Sequence, residues 1–339
     1  MNEKIKNIIS GMTLREKVGQ MIIARYPTDG KYNREEAVEK YHLGGFTWYA
    51  ENFKDETPES IRADVKAQQA KSKIPLFMAV DEEGGRVCRI SCYPQFRYEA
   101  FKSPSALYAE GGIERCVEDT KEKASFLLDL GFNLNFAPVC DMTYSPENYI
   151  HHRTLGQDVE TTCKYVSAVV KQMNESRLGC SIKHFPGYGD NVDTHQFIAH
   201  DDRSLDDFMK ADIFPFRAGI EAGAGIIMVA HNIVKGIDPD TPESLSPEAH
   251  RLIREELGFG GVVMTDSLDM GGITRFVGER SAAVMAVTSG NDMLCCTSYP
   301  EQIEAIIDAV NSGEITEERI DESVYRILNL KATLGIINL

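Results

Sequence analysis

The chain has 339 residues, of which 42% are hydrophobic, enough to bury a substantial core. Its 36 basic and 52 acidic residues give a formal net charge of −16, which argues against nucleic acid or anionic membranes as partners, because both bind basic surfaces. No apolar stretch approaches the ~20 residues of a membrane span, and the N-terminus has the pattern of an amphipathic helix rather than a signal peptide. The eight cysteines fit no zinc-binding spacing and mostly lie in apolar runs, as buried reduced thiols do. We therefore expect a soluble, cytoplasmic protein.

Short apolar runs alternate with helical patterns along the whole chain. Each run is nearly continuous in apolar residues, as expected for strands buried on both faces of a parallel sheet. The predicted strands cover residues 20–25, 44–49, 75–81, 134–141, 180–185, 225–231, 261–266 and 292–296. The predicted helices cover residues 33–42, 58–71, 113–130, 159–178, a segment that begins at 204, and residues 246–258, 279–289, 300–311 and 316–334.

The order of these elements predicts an α/β fold, a (β/α)8 TIM barrel that forms a single domain over residues 1–339. A doubly wound sheet explains the alternation but seldom reaches eight regular units. The helix-to-strand connections are short, whereas the strand-to-helix connections after strands three to seven run about 10 to 30 residues, beyond the usual length. The functional site is therefore expected at the carboxyl ends of the strands.

Ionisable side chains stand at the ends of five consecutive predicted strands. They are Asp81, Asp141, the Lys183-His184 pair, His231 and Asp266. In a barrel these side chains converge on one mouth. Paired polar residues that stabilise the barrel top are an equally good interpretation of Asp141 and His231, but not of Asp266 and the Lys183-His184 pair.

The densest cluster of ionisable groups lies in residues 183–195, Lys-His-Phe-Pro-Gly-Tyr-Gly-Asp-Asn-Val-Asp-Thr-His. A cation, two imidazoles and two carboxylates follow an apolar run inside a glycine-rich loop. A core segment does not tolerate so many ionisable groups, because each must be paired or solvated. Loops of this kind on a rigid scaffold are typical sites of catalysis.

Seven segments of the sequence have the form of sequence motifs. They are Asp81-Glu82-Glu83-Gly84-Gly85-Arg86-Val87, Arg153-Thr154-Leu155-Gly156, Lys183-His184-Phe185-Pro186-Gly187, Asp193-Thr194-His195, Ser244-Leu245-Ser246-Pro247, Thr265-Asp266-Ser267-Leu268-Asp269-Met270 and Gly290-Asn291-Asp292-Met293-Leu294. Taken together, these motifs resemble glycoside hydrolase family 3, and more narrowly its single-domain β-N-acetylglucosaminidase branch. The resemblance extends from about residue 10 to residue 334, with the motifs in the family's order.

The resemblance implies a role for each matched residue. Asp266 corresponds to the catalytic nucleophile, His195 to the acid/base and Asp193 to the carboxylate that pairs with it. The residues that would hold the sugar are Asp81, Arg89, Arg153, Lys183 and His184. A retaining glycosidase needs a carboxylate to attack the anomeric carbon and an acid to protonate the leaving oxygen. A carboxylate beside His195 would favour the charged, donating imidazole.

The implied activity is that of a retaining exo-β-N-acetylglucosaminidase without cofactor or metal. Its partner would be a small carbohydrate, a muropeptide or GlcNAc–MurNAc fragment met in peptidoglycan recycling, with chitin-derived oligosaccharides as the second choice. The oligomeric state is left open. The sequence departs from the family pattern at Tyr188, where a second histidine is common, at Glu82, where glutamine is frequent, and at His151 and His152.

Three alternatives remain at this point. A histidine acid/base does not repel phosphate, so phosphate could replace water and give a phosphorylase. A metal-dependent hydrolase would need ligands from His184, Asp190, Asp193, His195 and His200, but their spacing matches no known site. A non-catalytic sugar-binding barrel would tolerate loss of Asp266.

The lone Trp48, at the end of strand two, could stack on a sugar, although packing is the better interpretation.

Overall fold

The predicted barrel is confirmed in the computed structural model, which describes residues 2–27, 32–143, 145–191, 198–278, 281–296 and 298–339. Eight parallel strands close into a barrel in the order β1-β10-β9-β7-β5-β4-β3-β2. These strands are β1 (Ile22–Arg25), β2 (Gly45–Trp48), β3 (Phe77–Val80), β4 (Leu134–Asn135), β5 (Gly179–Phe185), β7 (Ile226–Val229), β9 (Val262–Ser267) and β10 (Met293–Cys296). A separate parallel pair consists of β6 (His200–Asp201) and β8 (Ile233–Val234).

Helices surround the barrel and cover its outer face. They are α1 (Glu3–Ser10), α2 (Leu14–Gln20), α3 (Arg34–Glu39), α4 (Pro58–Lys71), α5 (Pro104–Leu130), α6 (Val159–Glu175), α7 (Leu205–Lys210), α8 (Ile213–Glu221), α9 (Pro247–Arg251), α10 (Gly271–Val277), α11 (Ala282–Ser289), α12 (Tyr299–Asn311) and α13 (Glu317–Thr333). No helix in the described ranges is both long and apolar enough to cross a membrane.

Several features differ from the sequence-based prediction. β4 is much shorter than expected, since pairing with β5 beyond Asn135 is reduced to one bridge at Val139, next to a proline that has no N–H to donate. The helix α5 begins at Pro104 and is interrupted at Gly111 and Gly112. The pair β6–β8 is missing from the prediction, because two-residue strands are too short for a periodic pattern.

The barrel strands bring their carboxyl ends to one level. In β2 and β3, Trp48 lies opposite Val80, so the residues that follow, Tyr49 and Asp81, come side by side at the mouth. Trp48 itself points outward and is buried, with its ring stacked on Tyr26 at 3.6 Å between centroids. The packing interpretation of the lone tryptophan is therefore confirmed.

Candidate active site

A cavity of about 510 Å³ opens at the carboxyl ends of the strands. Six of the eight residues predicted to act in the site line this one cavity: Asp81, Arg89, Arg153, Lys183, His184 and Asp266. The other two, Asp193 and His195, lie outside the described residues. The six come from segments as far apart in the sequence as β3 and β9, so only the closed barrel brings them together.

Asp266 is the last residue but one of β9 and is only partly buried. Its Oδ1 accepts a hydrogen bond from the Ser267 N–H at 2.7 Å. Burial alone would raise the pKa of this carboxyl. The imidazoles of His231 and His184, with the Ser267 N–H and Lys183, outweigh burial and hold the pKa of Asp266 below its ordinary value. Asp266 is therefore ionised at neutral pH, the state that a nucleophile requires.

Four alternating charges form one wall of the cavity, those of Asp81, Lys183, Glu83 and Arg153. The ammonium of Lys183 donates to Asp81 Oδ1 at 2.7 Å and lies 2.6 Å from Glu83 Oε1. Glu83 in turn accepts from Arg153 twice, at 2.9 Å through Nε and at 2.7 Å through Nη2. Burial would lower the pKa of Lys183, but the two carboxylates raise it, so the ammonium persists. The wall is held in place before any ligand arrives.

Glu83 is a buried residue of the candidate site to which the sequence alone assigned no role. Its side chain is 2% exposed and bridges Lys183 and Arg153. Burial opposes the charge of Glu83, but the two cations outweigh burial and hold its pKa well below the usual range. The sequence signal that could have identified Glu83 is its place in the matched motif. It lies two residues after Asp81 and therefore on the same side of an extended chain.

The ring of His184 is fixed by partners on both nitrogens. Arg153 Nη2 can only donate, so His184 Nε2 accepts from it at 3.2 Å. The proton therefore lies on Nδ1, which donates to Asp141 Oδ2 at 2.8 Å. Asp141 also accepts from the backbone N–H of His184 and of Tyr188. Asp141 is thus a fully buried residue that orients the imidazole lining the cavity.

His231 has a comparable supporting position behind Asp266. Its Nε2 donates to the carbonyl of Ser267 at 2.8 Å, and its Nδ1 is 2.7 Å from the hydroxyl of Ser244. Because Ser267 directly follows Asp266, the imidazole fixes the backbone that carries the carboxylate. Asp141 and His231 are therefore paired polar residues at the top of the barrel, as one of the two interpretations of the sequence predicted. Asp141 supports His184 and His231 supports Asp266, and both of these supported residues line the cavity.

Arg89 reaches the cavity from the loop after β3. Its guanidinium lies 3.5 Å from Asp81 Oδ2. The loop is anchored by Glu82, which is fully buried and accepts from the N–H groups of Arg89 and Ile90, both at 2.9 Å. The N–H and the hydroxyl of Ser91 also donate to Glu82. Glu82, where the sequence has a glutamate in place of the glutamine that is frequent in the resembled family, is thus a residue that shapes the loop.

The loop after β5 supplies an aromatic side to the cavity. Tyr188 lines it and meets the His184 ring edge-on, with 5.2 Å between centroids. Asp190, a ligand in the metal-site alternative, accepts instead from the hydroxyl of Thr143 at 3.0 Å and from the amide of Asn148. Within the part of the chain that the structure describes, no three His, Cys, Asp or Glu side chains are grouped closely enough to hold a metal.

These features define what the cavity can do chemically. The ionised carboxylate of Asp266 faces a space lined by fixed hydrogen-bond donors and acceptors. Ionised groups make strong, directional hydrogen bonds to hydroxyls, and a polyhydroxylated ring offers many of them.

Comparisons with known proteins agree with this geometry. The sequence model described as Glycosyl hydrolase family 3 N terminal domain matches residues 13–330. Beta-hexosaminidase A of Pseudoalteromonas piscicida is 30% identical over 328 residues, which are 88% of this chain and 55% of that protein. A glycoside hydrolase family 3 beta-N-acetylglucosaminidase from Paenibacillus sp. str. FPU-7 superposes with a TM-score of 0.89 at 30% identity, over 97% of this chain and 65% of its own.

A second kind of relative is Beta-glucoside phosphorylase BglX, with a TM-score of 0.86 at 27% identity over 98% of this chain and 60% of its own. The chain thus spans less than two thirds of the length of each of these three proteins. Since the family match covers most of the sequence, the chain belongs to glycoside hydrolase family 3, through the N-terminal domain of that family.

Proposed function

We propose that the protein is a retaining exo-β-N-acetylglucosaminidase. It would release terminal β-linked GlcNAc from muropeptide or GlcNAc–MurNAc fragments, through a covalent glycosyl intermediate on Asp266. The names of the relatives support the sugar, since two of them are a β-hexosaminidase and a β-N-acetylglucosaminidase. The muropeptide fragment and the covalent intermediate are inferred from the family resemblance of the sequence motifs. A cytoplasmic location stays a prediction.

The observation that carries the proposal is an ionised carboxylate in a polar cavity of the right size. The volume of about 510 Å³ is within the usual range of small-molecule sites. Asp266 stays charged there without a direct ion pair to another described side chain, so its oxygen is available to attack. Lys183 and Arg153, by contrast, are held by carboxylates and serve as fixed donors toward a ligand.

The proposed reaction has two steps. An oxygen of Asp266 attacks the anomeric carbon while the glycosidic oxygen leaves with a proton from His195, giving a glycosyl ester. The deprotonated imidazole then takes a proton from water, whose oxygen displaces Asp266 and releases the sugar. His195 and Asp193 enter this scheme from the sequence motif alone.

The test is turnover of p-nitrophenyl β-N-acetylglucosaminide by wild type and by Asp266→Asn. We expect kcat to fall by at least about 10³-fold in the variant, because the amide cannot form the ester intermediate. The control is Asp202→Asn, at a fully exposed carboxylate outside the cavity. Turnover by Asp266→Asn at the wild-type rate would refute Asp266 as the nucleophile, and the absence of turnover by wild type would leave the non-catalytic interpretation. Turnover of chitin-derived oligosaccharides but not of muropeptides would change the substrate.

Phosphorolysis is the second candidate, because a phosphorylase is among the structural relatives. The same assay with added phosphate distinguishes the two. Free GlcNAc at all phosphate concentrations supports hydrolysis, and accumulation of GlcNAc-1-phosphate would assign the protein to the phosphorylases.

A further inference from the structure

Tyr49 lies at the mouth of the barrel, and none of the roles above involves it. It directly follows β2, whose side chains alternate in direction. Thr47 and Tyr49 line the cavity, whereas Trp48 between them is buried in the outer layer. The β2–β3 register places Tyr49 beside Asp81, on the side of the cavity opposite His184 and Tyr188 in strand order.

Two guanidinium groups hold the Tyr49 ring. The Cζ of Arg25 lies 4.4 Å from the ring centroid and that of Arg89 lies 5.5 Å from it. Both cations are themselves fixed, Arg25 by Glu51 and Arg89 by Asp81. Stacked cations restrict the ring's rotation, so the position of the phenolic oxygen is set in advance.

The phenolic oxygen of Tyr49 has an open hydrogen-bonding capacity. Among the described residues, no side chain or backbone group forms a hydrogen bond with it, and Tyr49 bonds only through its backbone. Burial, followed by the nearby Cys295, Asp81 and Asp266, raises the pKa of Tyr49 well above its ordinary value. The group is therefore a neutral O–H donor at every working pH.

A donor next to an acceptor is the arrangement that recognises a hydroxyl. Asp81 Oδ1 accepts from Lys183, but each carboxylate oxygen has a second lone pair. A sugar hydroxyl could donate to Asp81 and accept from Tyr49 at once. An analogue without that hydroxyl would leave both groups unpaired in a partly buried site, which is the basis of strong discrimination.

We propose that Tyr49 is a specificity-determining substrate contact, whose hydroxyl donates to the same sugar hydroxyl that Asp81 accepts from. The inference rests on the proposed function, because it takes a glycoside as the ligand. Tyr49, which directly follows β2, would be a further donor in this site. The other donors come from the loops after β3 and β4 and from β5.

The experiment compares Tyr49→Phe with wild type on the parent p-nitrophenyl glycoside and on its 3-, 4- and 6-deoxy analogues. Phenylalanine keeps the ring that Arg25 and Arg89 contact and removes only the hydroxyl. We expect kcat/KM on the parent to fall about 10-fold, the effect of one neutral hydrogen bond in the site. On one deoxy analogue the two proteins should be equally active, because the hydroxyl that Tyr49 contacts is missing there.

The matched control is Tyr98→Phe, in the same group of loops but with its side chain in solvent. It should equal wild type on every substrate. Equal kcat/KM of Tyr49→Phe and wild type on the parent would overturn the contact. A loss of the same size on all analogues would overturn it too, because it would mark a structural effect. A wild type without any turnover would instead refute the proposed function, and the contact with it.

Discussion

Glu83 is a buried carboxylate that sets the position of two cations in the candidate site. It contacts Lys183 on one side and Arg153 on the other, and Arg153 then fixes the tautomer of His184. Removing one partner of a buried ion pair costs more than the pair contributes, because the remaining charge is left uncompensated. At the residue scale, the site therefore depends on a group that need not contact the proposed substrate.

The prediction for this residue concerns Glu83→Gln. The amide keeps one acceptor but loses the charge, so Lys183 and Arg153 should be less well positioned. We expect kcat/KM for the glycoside to fall about 10- to 100-fold, corresponding to a charged hydrogen bond of about 1.5–3 kcal/mol. Steady-state kinetics on folded protein measures this. Glu118→Gln, at an exposed carboxylate on α5, is the control, and equal activity of the two variants would contradict the role.

At the scale of elements, the loop after β5 rests on a small charged cluster. Arg203 pairs with Asp212 at 2.9 Å and with Asp201 at 2.7 Å. Gly187 lies directly over Asp212, with φ of 125° and so little space that a Cβ would be 2.8 Å from Asp212 Oδ1. Only glycine fits there, because other residues rarely adopt this conformation. The cluster thus determines how the loop leaves the strand.

Asp212 gives this cluster a pH dependence. Burial, with help from Asp141 and Asp201 and against Arg203, raises the pKa of Asp212 to about 6 from 3.8. Between these values the folded protein binds a proton that the unfolded chain does not, so the contribution of Asp212 to stability falls as pH rises from 4 to 6. The fall amounts to about 3 kcal/mol.

In Asp212→Asn this contribution is absent. We expect the wild type to lose stability relative to the variant between pH 4 and pH 6, as measured by urea unfolding at several pH values. Asp202→Asn, which changes an exposed carboxylate, should follow the wild type. Parallel stability curves for wild type and Asp212→Asn would show that Asp212 has an ordinary pKa.

At the scale of the whole molecule, the last helix helps to close the barrel. β1 pairs with β10, and Lys331 of α13 reaches under the barrel to the side chain of Gln20 at 2.8 Å and to the carbonyl of Gly44 at 3.0 Å. Lys331 is fully buried, and burial lowers its pKa to about 7 from 10.5. The first and last parts of the described chain are therefore joined by a lysine. Above pH 7 this lysine is neutral in most of the folded molecules.

The prediction is a pH-dependent stability difference between wild type and Lys331→Met. Between pH 7 and pH 10 the unfolded lysine keeps a proton that the folded lysine lacks, so wild type gains stability relative to the variant as pH rises. The gain should be about 4 kcal/mol. Denaturant unfolding across this range tests it, with Lys66→Met at an exposed position as control. A constant difference would mean that Lys331 titrates as an exposed lysine does.

The sequence by itself determined the barrel and the ring of polar residues at its mouth. Apolar runs and helix caps are local signals, and the closed parallel barrel follows from their order. The same order placed Asp81, Lys183 and Asp266 together, because the carboxyl ends of parallel strands share one face.

The tertiary structure alone decided which of these groups pair. The bridge from Glu83 to Arg153 joins residues 70 positions apart, and the bond from Lys183 to Asp81 joins residues 102 positions apart. The protonated nitrogen of His184 and the pKa of Asp212 likewise depend on neighbours from other elements. Periodicity determines the direction of a side chain, whereas its partner, burial and charge state depend on register and on distances that no local pattern contains.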